Sequence, residues 1–88
     1  MTNTQATELI ETVSMLQLQL PAEYEITCTI NGKCGESNAT TYVAIKIHKG
    51  NHYDPELAHE WQTGDTFTSF LESFYTRLKF SHFKQYLS

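Results

Sequence analysis

Residues Asp65 to Leu78, DTFTSFLESFYTRL, constrain this chain more than any other stretch. Phe67, Phe70, Leu71, Phe74 and Leu78 recur at three- and four-residue spacing, which places them on one face of a 3.6-residue helix. Asp65 or Thr66 stands where a side chain caps the first turn, and Arg77 and Lys79 stand where cations suit the last. A stripe this apolar needs an apolar surface to cover it. The middle of the chain offers a sheet.

Taken in order, Thr4 to about Gln17 reads as a first helix. Ala6, Leu9, Ile10, Val13, Leu16 and Leu20 share its apolar face, with Asn3 or Thr4 as cap. Met15 and Leu18 fall off that face as a small second patch, and Pro21 ends the helix. Glu23 to Ile30 alternates strictly. Tyr24, Ile26, Cys28 and Ile30 point one way, and Glu23, Glu25, Thr27 and Thr29 the other. Asn31-Gly32 opens a turn, and Asn31 to Ala39 reads as a loop or as a short extension of the hairpin ending in a second turn. Thr40 to His48 alternates again, with Thr41, Val43, Ile45 and Ile47 inward and Tyr42, Ala44, Lys46 and His48 outward. Lys46 is expected across from Glu23 or Glu25. Residues 49–55 form a loop rich in turn residues. Leu57 to Gln62 reads as a short third strand rather than one helical turn. The tail, Phe80 to Ser88, reads as a final turn or two of helix.

The 88 residues make one α+β domain of order α-β-β-(β)-α, an antiparallel sheet with both helices on one face. The other face stays open to solvent. Double-stranded RNA-binding domains share this layout, but they need basic residues at the start of the last helix. Here that place reads Asp65-Thr66-Phe67, which excludes the family.

The net charge is −4, and its placement is uneven. Glu8, Glu11, Glu23 and Glu25 stand in the first 32 residues without a Lys or Arg among them, whereas Arg77, Lys79 and Lys84 follow the last acid, Glu72. Direct nucleic-acid binding is not expected, since duplex binding needs a clustered basic footprint. The start MTNTQ lacks the basic and apolar regions of a secretory leader, and no apolar run approaches a membrane span. The expectation is a cytoplasmic protein that does not engage membranes.

Few residues offer chemistry. Cys28 and Cys34 are expected as free thiols, too few and wrongly spaced for a zinc site. His48, His52, Asp54 and His59 are the one cluster with metal-ligating or acid–base potential. The chain lacks G-x-S-x-G, G-x-x-x-x-G-K-[ST] and G-x-G-x-x-G. No cofactor is expected.

These observations favour a small non-enzymatic module that binds a larger protein or complex, itself a nucleic-acid binder. Glu23, Glu25, Tyr42 and Lys46 on the open sheet face, with Tyr53, Asp54 and Glu56 in the long loop, are the expected partner-binding residues. In size, acidity and helix–sheet–helix order the chain resembles the small inhibitors made by phages, including anti-CRISPR proteins. Those inhibitors share no sequence signature, so the resemblance assigns no residue. Ten acids in 88 residues are also sparse for mimicry of DNA. Two alternatives stand beside this reading. One is an enzyme built on His48, His52, Asp54 and His59. The other is a homodimeric structural subunit joined through Met15, Leu18 and the tail.

Overall fold

A computed structural model describes residues 2–31, 42–50 and 53–87. The elements are α1 (Asn3–Gln19), β1 (Tyr24–Asn31), β2 (Tyr42–Lys49), β3 (Leu57–Glu60), α2 (Phe67–Lys79) and a closing 3₁₀ turn, η1 (His82–Tyr86). The expected loop from Asn31 onward, with Cys34 in it, the expected start of β2 at Thr40, and His52 lie outside the described residues; Asn31 itself ends β1.

The helix ends have clear causes. Thr2, not Asn3 or Thr4, caps α1. Its hydroxyl accepts from the Gln5 amide at 3.1 Å, and its own amide donates to the Gln5 side chain at 3.0 Å. Leu20 leaves the helix in an extended conformation, as a residue before proline must. Thr66 and Ser69 form the same reciprocal box at the start of α2. Asp65 instead braces the preceding turn by accepting from the Gln62 amide at 2.7 Å. Gly64, at φ 89°, supplies the left-handed residue that this turn requires.

The sheet has the order β1-β2-β3, antiparallel throughout. Ile26 faces Ile47, Cys28 faces Ile45, and Ile30 faces Val43, which aligns the apolar rows on one side. Ile45 and Ile47 continue to His59 and Leu57 on β3. Over this side lie Leu9 and Leu16 of α1, Phe70, Phe74 and Leu78 of α2, and Phe83 of η1, all buried in one core. Tyr24 closes one end of it, edge-on to Phe83 with centroids 5.1 Å apart.

Two further sequence expectations fail on geometry. Lys46 faces Thr27, while Glu25 faces His48, because the register follows the inward rows rather than the outward charges. Ile10, expected on the buried face of α1, is 55% exposed. The sheet accepts a narrower arc of α1 than the apolar positions span.

Candidate interaction surfaces

The outward side of the sheet is built from every second residue of each strand. Glu25, Thr27 and Thr29 lie on β1, Tyr42, Ala44, Lys46 and His48 on β2, and Ala58 and Glu60 on β3. The Tyr42 phenol lies near the Glu60 carboxylate. Partial burial first, and that acidic partner second, raise its phenol pKa above the ordinary value. Ala44 and Ala58 leave the middle of this face shallow. The result is flat and polar, with Tyr42 as its one large ring among the described residues.

The seven expected binding residues do not gather here. Glu25, Tyr42 and Lys46 share the face, with Lys46 half-buried. Glu23 and Glu56 lie instead at the sheet end near Tyr24, and both raise the pKa of its phenol, behind the larger effect of burial. Glu56 is also engaged with His82 at 3.4 Å. Tyr53 and Asp54 are exposed in the loop before β3, Tyr53 almost completely.

The histidine cluster is divided by the sheet. His48 lies on the outward side and is partnered there, while His59 is buried on the inward side. The His59 ring stacks beside Phe70 at 4.9 Å, with Nε2 3.2 Å from the Phe70 carbonyl oxygen and Nδ1 3.4 Å from Arg77. Nε2–H donates to the carbonyl and Nδ1 accepts from the guanidinium, the arrangement of a neutral imidazole. Burial is the main force that pushes the pKa of His59 below 6.5; Arg77 adds to it, and the Phe70 carbonyl and Asp65 oppose it. No group of three or more metal-ligating side chains occurs among the described residues. Burial likewise pushes the Cys28 thiol up, away from the thiolate that nucleophilic chemistry needs.

A different feature lies on the opposite side of the molecule. Between the helices runs a groove of about 610 Å³. Met15 and Leu16 of α1, Tyr75 and Leu78 of α2, and Leu87 line its apolar floor. Glu8 and Glu11 stand on the α1 lip, and Lys79 and Lys84 on the facing lip. A smaller hollow of about 350 Å³ continues it toward the helix N-termini, between Gln5 and Phe67, Leu71 and Tyr75. Low-numbered residues of α1 thus meet low-numbered residues of α2, so the helices run in the same direction. Met15 is 60% exposed and Tyr75 43%. The off-face position of Met15 was the sequence signal for this groove. Its facing wall had none, because Tyr75, Lys79 and Lys84 read as ordinary surface until α2 is set beside α1.

Comparison with known protein families, with curated proteins and with solved structures finds no match for this chain. Among the described residues no helix is long and apolar enough to cross a membrane.

Proposed function

We propose that this protein is a small non-enzymatic binding module whose interhelical groove takes up an amphipathic helix of a larger protein. The observation that carries the reading is the groove itself, an apolar floor between an acidic and a basic lip. Such a trough suits a helix that presents an apolar stripe with basic residues on one flank and acidic residues on the other. Met15 and Tyr75 supply adaptable and aromatic contact area on its floor. The flat outward side of the sheet offers orientation through Glu25 and Lys46 but little apolar area. Small size and acidity support a further step, in which the partner is a nucleic-acid-binding protein and the outcome is its inhibition, as in the small phage inhibitors.

The test is affinity capture with three proteins: wild type, Met15→Glu, and Glu23→Lys combined with Glu25→Lys. Met15 is exposed, so its replacement leaves the core intact. The expected result is one partner held by wild type and by the double variant but lost from Met15→Glu. The captured protein should also shift the amide signals of α1 and α2. Loss confined to the Glu23/Glu25 variant would move the site to the sheet, and capture of nothing by folded wild type would overturn the proposal.

A further inference from the structure

The outer edge of β1 carries a second surface, independent of the groove: we infer that two copies of this chain pair β1 with β1, antiparallel about Cys28. Along an antiparallel strand the N–H and C=O of one residue point to the same side, and successive residues alternate. The Glu23 carbonyl accepts from Gly50 on the β2 side at 2.9 Å. Tyr24, Ile26, Cys28 and Ile30 therefore turn their backbone groups to the free edge.

The two ends of that edge are treated differently. Gln17 reaches down from α1 as a strand would. Its Nε2 donates to the Tyr24 carbonyl and its Oε1 accepts from the Ile26 amide, each at 2.8 Å. Beyond it, the Ile26 carbonyl and both backbone groups of Cys28 and Ile30 make no hydrogen bond to another described residue. The far edge of the sheet is guarded by contrast. Arg77 donates to the Ala58 carbonyl, and the Gln62 side chain donates to the Glu60 carbonyl at 3.3 Å. An unguarded stretch of edge is a template for another strand.

The sequence of that stretch says which strand fits. Ile26-Thr27-Cys28-Thr29-Ile30 reads the same in both directions. A two-fold axis at Cys28 sets Ile26 against Ile30 of the second copy on the inward side and Thr27 against its Thr29 on the outward side. β-branched neighbours and Thr–Thr pairs are favourable across strands. The Cys28 groups bond reciprocally across the axis, and each Ile30 amide reaches the other copy's Ile26 carbonyl, while Gln17 gives up its bond to the Ile26 amide so that the other copy's Ile30 carbonyl takes its place. Glu25 falls opposite Asn31, which keeps the two Glu25 side chains about 20 Å apart at the rise of a strand. No acid meets an acid.

The apolar row also gains cover. Val43, Ile45 and Ile47 of β2 are fully buried, whereas Ile26, Cys28 and Ile30 are only half-buried. Ile10, exposed on α1, sits two turns before Gln17 on the same flank and so stands above the same edge. A symmetric pairing buries both.

Sedimentation equilibrium over a concentration series, joined to hydrogen exchange, tests this. The expected result is a monomer–dimer equilibrium in which the Cys28 and Ile30 amides exchange more slowly as concentration rises. Thr27→Lys combined with Thr29→Lys opposes lysine to lysine across the axis and should weaken the dimer by about tenfold or more. Cys28→Pro deletes an outward amide without breaking the ladder to β2, and should be monomeric. The lysine variant keeps the test decisive if the proline variant does not fold, since both threonines are exposed. A wild type that stays monomeric, or a dimer that survives the lysine pair, would overturn the inference.

Discussion

His59 donates from Nε2 to the carbonyl oxygen of Phe70 at 3.2 Å, which ties the edge strand β3 to the first turn of α2. The folded protein holds this imidazole neutral, and burial is the main reason its pKa lies below 6.5. At pH about 7.5 and above, a unit over the ordinary value, neither the folded nor the unfolded chain protonates it appreciably, and its full contribution to stability is present. As pH falls from there toward the folded pKa, the unfolded chain gains a proton that the folded chain refuses, and that contribution is lost. Urea unfolding at pH 7.5, 6.5 and 5.5 should show stability falling with acidification. His59→Phe keeps a ring against Phe70 and Phe74, and should remove that part of the slope.

Phe74 is fully buried between the sheet and α2. Phe74→Ala leaves a cavity that the surrounding strands cannot collapse, at a cost of about 3–5 kcal/mol. Urea denaturation should show the midpoint falling steeply, a large share of the stability of so small a domain.

Thr66 accepts from the Ser69 amide at 3.1 Å, and its own amide donates to the Ser69 hydroxyl at 2.9 Å. Thr66→Ala should cost about 1 kcal/mol, and Thr66→Ser should restore most of it. Thermal melts of the two variants distinguish loss of the cap from loss of a methyl group.

Gln17→Ala removes two bonds to the β1 edge while leaving the apolar face of α1 in place. The expected loss is about 1–2 kcal/mol. The Ile26 amide should lose protection in hydrogen exchange, while Ile45 and Ile47, central in the sheet, keep theirs.

Leu18 and Phe80 are at least four-fifths exposed. Leu18→Ser and Phe80→Ser should each change stability by no more than about 0.5 kcal/mol. A larger loss in dilute solution would mean that these side chains are covered.

The parts of the fold that could be read beforehand are those whose period was strong. Phe70, Phe74 and Leu78 sit in the core because residues at helical spacing have only one face to share, and Val43, Ile45 and Ile47 do so because a strand has only two. A third strand was legible over Leu57 to Gln62 from the same alternation, and the structure gives Leu57–Glu60. The reading of Ile10 failed because α1 offers apolar residues around more of its circumference than one sheet can cover. The expected partner of Lys46 failed because both outward registers looked alike, and only the inward rows distinguish them.

The candidate surfaces followed the same division. Glu25, Tyr42 and Lys46 could be assigned to the outward side of the sheet by alternation alone. The groove could not, since its walls come from residues far apart in the chain, and its width is set by where each helix settles on the strands. The histidines show this most plainly. Nearness in sequence suggested one site, yet His48 and His59 lie on opposite sides of the sheet because each takes its side from its own strand's alternation.

Local chemistry along the chain thus determined the element order, the cap at Thr66, the end of α1 before Pro21, and the two-sided strands, each a property of residues within a few positions of one another. The tertiary structure alone decided the register, the gap between α1 and α2, and the half-guarded edge of β1. Those depend on how elements distant in sequence come to rest on a shared core, and no short-range pattern encodes that distance.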